Sequence, residues 1–162
     1  MPQELRVFVD PVVSPSTIIG LENHLLNVFS FDSVEISKLG QSPSSCWNTF
    51  RHQFDANCLL AYAKSQIPTG IVLLIISKDT YIQGLNFVFG VASKGIGAVV
   101  SIYRLENDPE FVLKEIFHEL GHVFGLRHCF LPCVMTFSNS VWEARLKNAT
   151  FCEKCRKEMR SH

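Results

Sequence analysis

The segment 118–128, which reads HELGHVFGLRH, constrains this 162-residue chain more than any other feature. His118 and His122 lie four residues apart, so an α-helix would project both imidazoles from one face, one turn apart. Gly125 has the conformational freedom to end that helix, and the chain can then turn back to bring in His128. Three protein ligands leave one tetrahedral position for water, which is the layout of a catalytic zinc site.

Glu119 lies beside the same helix face. It is close enough to reach a water at such a site but poorly directed to bind the metal, so we predict a general base. An isolated HExxH pattern often arises in a helix by coincidence, but the glycine and third histidine in register make coincidence a poor explanation here. Glu143 is an alternative third ligand, and His128 is the better candidate because only the glycine turn is needed to bring it in.

Four of the six cysteines form two close pairs that follow the histidine segment. They are Cys129 and Cys133, and then Cys152 and Cys155. This spacing is typical of a closed four-thiolate zinc site, which would be structural and would hold the C-terminal segment beside the third histidine. Disulfides or unpaired thiols are the alternative. The other two cysteines, Cys46 and Cys58, lie in less patterned sequence, and we expect free thiols there.

These residues give the combined pattern HExxHxxGxxHC, CxM and CxxC, and the chain resembles the archaemetzincins, a family of metzincin-clan zinc metallopeptidases. The segments 85–90 (LNFVFG) and 137–140 (FSNS) fit the resemblance, which extends over residues 70–155. Two local differences accompany it. Three residues instead of four separate the first two cysteines, and Arg-Leu-Lys stands at 145–147 where the family usually has Asp-Arg-Lys.

The resemblance implies a metzincin-like α/β fold, a mixed twisted sheet of about five strands with one antiparallel edge strand, packed helices and a small zinc-bound C-terminal subdomain. It places the edge strand at 85–89 and implies that an extended substrate pairs with its free edge. Met135 would then lie beneath the zinc site without binding the metal, and Gly125 would support the turn to the third ligand. The substrate-binding residues that it implies are Asn86, Phe87, Val88, Ser138 and Asn139.

Apolar periodicity and turn residues predict alternating strands and helices. The predicted strands are 5–9, 34–36, 70–77, 85–89 and 98–103, and the predicted helices are 15–28, 55–65 and the active-site helix that Asp108 caps. We expect one catalytic domain over residues 1–162. Its sheet and helix subdomain would span 1–125, and its C-terminal subdomain would span 126–162.

Charge and hydropathy exclude several classes of partner. Fifteen basic and fifteen acidic residues give a formal charge of zero, so no net positive potential favours the binding of nucleic acid or of an anionic membrane. The longest apolar run, 71–76, is far too short to cross a bilayer, and the first residues lack the pattern of a signal peptide. We therefore expect a cytoplasmic monomer that acts on peptides or small proteins.

The sequence thus predicts a zinc metallopeptidase with two zinc ions per chain, one catalytic and one structural. Glu119 would assist the attack of a zinc-bound water on a peptide bond. Two alternatives stay open: a catalytically weak peptide-binding or regulatory protein with the same fold, and a zinc-ribbon interaction module built on the cysteines. The intact Glu119 argues against the first, and the length of the histidine-bearing subdomain argues against the second.

Overall fold

The computed structural model describes residues 3–160, which form two β-sheets, five α-helices and two short 3-10 helices. The strands are Glu4–Val9 (β1), Ser33–Lys38 (β2), Trp47–Asn48 (β3), Gln53–Asp55 (β4), Ile71–Ile76 (β5), Thr80–Tyr81 (β6), Gly90–Ser93 (β7) and Gly97–Ser101 (β8). The α-helices are Leu21–Val28 (α1), Ala56–Ser65 (α2), Pro109–Val123 (α3), Val141–Leu146 (α4) and Glu153–Arg160 (α5). Over residues 3–160, every helix falls short of the length and apolar character that a membrane span requires.

The large sheet has the strand order β2-β1-β5-β8-β7. Its first four strands are parallel, and β7 pairs antiparallel with β8 at one edge. All six residues of β5 are buried, as expected for a central parallel strand covered on both faces. The predicted mixed five-stranded sheet with one antiparallel edge strand is therefore confirmed.

Helices cover both faces of this sheet. On one face, Leu73 and Ile75 of β5 lie in the same apolar cluster as Leu25 of α1 and Phe117 and Leu120 of α3. On the other face, alternate residues of β5 pack with the apolar side of α2. The alternation along β5 thus divides the core into two layers, and α3 lies directly on the sheet.

Helix α3 begins and ends where the sequence predicts. The Asp108 carboxylate accepts hydrogen bonds from the backbone N–H groups of Glu110 (3.1 Å) and Phe111 (3.4 Å), and Pro109 occupies the first turn. After the last turn Gly125 adopts a φ of 94°, a left-handed conformation that glycine adopts without steric cost. This turn directs the following residues back towards the helix.

Several predicted elements are displaced or divided. The helix predicted at 15–28 is split into a 3-10 helix, Pro15–Ile18, and α1, because Gly20 between them is left-handed at φ 71°. The strand predicted at 98–103 ends at Ser101. The edge strand predicted at 85–89 is wrong in position, since the antiparallel edge strand is β7 and the preceding five residues are irregular apart from a bridge between Val88 and Thr80.

The expectation of free thiols at Cys46 and Cys58 is also wrong. The two form a disulfide, with a Cα–Cα distance of 5.5 Å. The disulfide joins the 3-10 helix Ser44–Cys46 to the first turn of α2. It closes a loop that contains the whole β3–β4 hairpin.

Candidate active site

Three histidines meet at the C-terminal end of α3. The ring centroids of His118 and His122 are 4.8 Å apart, and that of His128 lies 5.3 and 4.9 Å from them. One ring nitrogen of each lies within 4.8 Å of the other two. Of the described residues 3–160, Glu143 is not in this group, and its carboxylate accepts a hydrogen bond from the backbone N–H of Asn139 (2.7 Å) instead.

The hydrogen bonds of two rings determine which nitrogen faces the centre of the group. His118 Nδ1 donates to the carbonyl of Val134 (2.9 Å), and His122 Nδ1 donates to the carbonyl of Leu126 (2.7 Å). With the proton on Nδ1, each Nε2 has a free lone pair, and the two Nε2 atoms lie 3.2 Å apart. Two lone pairs at that distance repel unless a cation lies between them, so the donor set fits a divalent metal ion.

The environment keeps the three rings neutral, as metal binding requires. Burial lowers the pKa of His118 to about 3. Burial also lowers the pKa values of His122 and His128. At neutral pH the imidazoles therefore carry no proton that a metal would have to displace.

Glu119 lies beside the histidines and below the edge strand. Burial, reinforced by the nearby charge of Glu115, raises the pKa of Glu119 to about 8. The edge strand approaches it closely, because a Cβ at Gly90 would be 3.1 Å from Glu119 Cγ and 2.3 Å from the carbonyl oxygen of Val99. Only glycine at position 90 permits this approach, which places the Glu119 carboxyl group next to β7, a strand that has no partner on its outer side among residues 3–160.

Four cysteines form a second group behind His128. The Sγ atoms of Cys129, Cys133, Cys152 and Cys155 all lie within 4.8 Å of one another, and all four thiols are free of disulfides. The backbone N–H groups of Met135 and Cys152 donate to Cys133 Sγ at 3.4 and 3.3 Å, as they would to a thiolate. Burial and the neighbouring thiols raise the pKa of Cys155, so four thiolates in this space require a cation. The four-sulfur set fits zinc, and the disulfide alternative is contradicted.

Met135 lies directly beneath the histidine-bearing turn of α3. Its side chain is fully buried, and a Cβ at Gly121 would lie 2.5 Å from its Sδ and 3.1 Å from the ring of Phe151. Gly121, between the two helical histidines, therefore lets the thioether pack against the helix backbone. The sequence indicated the methionine but not the reason for this glycine.

A buried ion pair next to the site was missed altogether. Lys147 Nζ lies 3.1 Å from Glu115 Oε1 and 3.2 Å from His118 Nδ1, and the two charged side chains are only 4% and 3% exposed. Glu115 precedes His118 by one turn of α3. From the sequence, Lys147 was only the last residue of the segment 145–147, and no role was predicted for it.

The structure describes the surroundings of each substrate-binding residue that the resemblance implies. The segment that contains Asn86, Phe87 and Val88 precedes the edge strand, and its carbonyl groups are bound by side chains of the same chain. Ser138 has a buried hydroxyl without a hydrogen-bond partner, and Asn139 is exposed. Phe137, which was not predicted as a binding residue, lies 5.1 Å from the ring of His128.

Comparison with known proteins settles the family. The model of peptidase family M54 matches residues 51–161. The chain belongs to this family. An archaemetzincin of Archaeoglobus fulgidus is 38% identical over 165 residues, which cover 96% of this chain and 99% of that protein. Another, from Nanoarchaeum equitans, is 49% identical over 117 residues, covering 72% and 68% of the two chains.

Solved structures of the family have the same fold. The crystal structure of archaemetzincin from Methanopyrus kandleri is 34% identical with a TM-score of 0.87, covering 99% of this chain and 94% of that one. Family membership confirms the predicted resemblance, the fold class and the assignment as a zinc metallopeptidase. The chain is therefore not organised as a zinc-ribbon interaction module.

Proposed function

We propose that this chain hydrolyses peptide bonds at a zinc ion held by His118, His122 and His128, with Glu119 as the general base. The observation that carries the proposal is the convergence of three neutral imidazoles beside a buried carboxyl group and an open strand edge. Peptide hydrolysis needs a Lewis acid, a proton acceptor and a surface that holds an extended backbone. The three histidines would hold the Lewis acid, Glu119 would accept the proton and β7 would hold the backbone.

When it is bound, zinc supplies a Lewis acid that acidifies water and polarises the substrate carbonyl. The Glu119 carboxylate accepts a proton from the attacking water and then delivers it to the departing amine nitrogen. Burial raises the pKa of Glu119 in the metal-free chain. The positive charge of a bound zinc ion would favour the carboxylate form that the first step needs. The same burial excludes bulk water that would otherwise exchange that proton.

The substrate is proposed to bind along β7. In the described residues 3–160, β7 pairs with β8 on one side and with no strand on the other. An extended peptide added there gains main-chain hydrogen bonds whatever its side chains are, while alternate side chains point towards pockets. Ser138 and Asn139 stay proposed as the opposite wall, supported by the unpartnered Ser138 hydroxyl.

A second zinc ion is proposed for the four cysteines, in a structural role. The cluster connects the turn after His128 to α5, and it therefore keeps the third histidine in place. We also propose that the chain acts as a single catalytic domain and as a monomer. We also propose a cytoplasmic location. Disulfides are rare in the cytosol except in hyperthermophiles, so this location requires a cytosol in which the Cys46–Cys58 disulfide stays oxidised.

A peptide-library digest followed by mass spectrometry tests the proposal. The wild-type chain should cleave peptides, whereas Glu119→Gln at the same zinc content should be at least about 10²-fold slower, the typical contribution of a positioned general base. Equal rates would contradict the role of Glu119. Loss of zinc from Glu119→Gln would mean that Glu119 binds the metal. No cleavage by the wild type would favour the alternative of a peptide-binding protein.

A further inference from the structure

The five residues before β7 are held in an unusual way. Within the described residues they form no ladder with the large sheet beyond one hydrogen bond, from the Ser101 backbone N–H to the Phe89 carbonyl (2.8 Å). Side chains bind the carbonyl groups of Leu85, Asn86 and Val88. Arg51 Nη2 donates to the carbonyls of Leu85 (2.6 Å) and Asn86 (3.1 Å). Gln53 Nε2 donates to the same Asn86 carbonyl (2.9 Å). Two side chains of the β3–β4 hairpin therefore hold the beginning of this segment, and Thr80 and Ser101 hold its end.

The two side chains belong to a larger polar network. Gln53 Nε2 also donates to Asp79 (2.8 Å), and Arg104 forms a bidentate pair with the same carboxylate at 3.0 and 2.8 Å. The Arg104 guanidinium lies 3.8 Å from the ring of Phe87, and that of Arg51 stacks on Tyr81. Gln53 and Asp79 are buried, so the bond between them is protected from water, whereas the bonds of Arg51 to the two carbonyls are exposed.

The hairpin is itself fastened at both ends. The Cys46–Cys58 disulfide closes the loop around it, and β4 pairs with β6. Asp55, the last residue of β4, accepts a hydrogen bond from the Cys58 backbone N–H (3.1 Å) and caps α2. Arg51 and Gln53 are therefore presented from a closed, braced loop rather than from a free one.

The segment they hold leads directly into the site. The residue that follows this segment, Gly90, lies so close to Val99 and Glu119 that a methyl group added at its Cα would clash with them. A small displacement at 85–89 would therefore move the beginning of β7 against the catalytic carboxylate or away from it. The neighbouring strand β8 fixes β7 on one side only. The segment that enters β7 is held by the Thr80–Val88 bridge and by the hydrogen bonds of Arg51 and Gln53.

We propose that the disulfide-closed loop 46–58 is a clamp for the substrate-binding edge, with Arg51 and Gln53 as positioning residues that determine how tightly an extended peptide is bound. The inference rests on the proposed function, because it assumes that the peptide pairs with β7. A strand edge that is already ordered loses less conformational freedom on binding, so the clamp strengthens binding without touching the substrate. It acts mainly on binding and much less on the chemical step.

Arg51→Met tests the clamp in the zinc-loaded, full-length chain. In the Glu119→Gln background, the Kd of an uncleaved extended peptide should rise about tenfold, which corresponds to the loss of one or two hydrogen bonds. In the active enzyme KM should rise similarly, and kcat should stay nearly unchanged. Arg6→Met is the matched control, because Arg6 also stacks on an aromatic ring but lies on β1, inside the sheet and away from β7.

Two further variants keep the test decisive. Arg51→Lys keeps the charge but loses the forked contact with both carbonyls, so it should weaken binding less than Arg51→Met, and it serves if Arg51→Met does not fold. Cys46→Ser/Cys58→Ser should weaken binding in the same direction. Wild-type Kd values in Arg51→Met, or an equal loss in Arg6→Met, would overturn the clamp while leaving the proposed function intact. A wild-type chain that neither binds nor cleaves peptides would overturn both.

Discussion

Removing the Lys147 ammonium should destabilise this protein severely, because its partner is buried on the active-site helix. Lys147→Met leaves the Glu115 carboxylate in a place where its side chain is 3% exposed, next to His118. Lys114 is the nearest other cation, but its Nζ is bound to the carbonyl of Arg145 (2.6 Å). The carboxylate therefore has only a partial substitute for the lost partner.

The size of the effect follows from this burial. Removing one partner of a buried ion pair lowers the free energy of unfolding by about 3–5 kcal/mol. Burial already raises the pKa of Glu115, so its carboxyl group can take up a proton when Lys147 is lost, and we expect the lower end of that range. For a chain of this length, about 3 kcal/mol lowers Tm by roughly 6–12 °C. Adding Glu115→Gln should restore most of that loss, because no buried charge then remains unpaired.

Thermal unfolding of the zinc-loaded variants measures the effect. Lys157→Met is the matched control, since Lys157 and Glu153 form an ion pair of similar length (3.4 Å) with side chains 72% and 83% exposed. Its Tm should be that of the wild type, because exposed pairs contribute little. If Lys147→Met unfolded at the same temperature as Lys157→Met, the reasoning from burial would be refuted.

Two further predictions concern other parts of the sheet. The Asp10 carboxylate is partly buried, which opposes ionisation, but hydrogen bonds from the Ser77 hydroxyl and nearby backbone N–H groups lower its pKa overall. The ionised carboxylate therefore stabilises the folded chain at neutral pH, and this contribution is lost in acid as the group protonates. Denaturant titrations should therefore show Asp10→Asn less stable than wild type at pH 7, with the gap closing below about pH 4, and a pH-independent gap would contradict this. Gly90→Ala should reduce peptidase activity at least about tenfold, because its Cβ would lie 2.3 Å from the Val99 carbonyl oxygen and must displace the edge strand. Gly40→Ala, which has open space around it, is the control, and equal activities in the two variants would count against the close approach.

The sequence predicted those parts of the site that depend on local spacing. A four-residue interval on one helix, an aspartate cap and a glycine turn are sufficient to bring three histidines together, and each of these acts over a few residues. The four cysteines form two local pairs, and their spacing alone indicated a closed zinc site. The fold followed from the apolar run at 71–76 and from the resemblance.

The parts that were missed depend on contacts between distant segments. Lys147 reaches Glu115 from beyond α4, and no periodic pattern connects those positions. The resemblance placed the edge strand at 85–89, where the residues have high β propensity. In the structure, packing against β8 and Glu119 selects the smaller residues of 90–93. Cys46 and Cys58 lie in no recognisable motif, and only the path of the β3–β4 hairpin brings them together.

Counting zinc ions by elemental analysis is the most direct test of the proposed site. The wild-type chain should contain two equivalents, and His122→Ala should contain one with the fold kept. Cys152→Ser should also contain one, with a destabilised C-terminal segment, because a structural zinc contributes folding free energy directly. A single equivalent in the wild type, or a disulfide between Cys152 and Cys155, would contradict the assignment of a three-histidine catalytic zinc and a four-cysteine structural zinc.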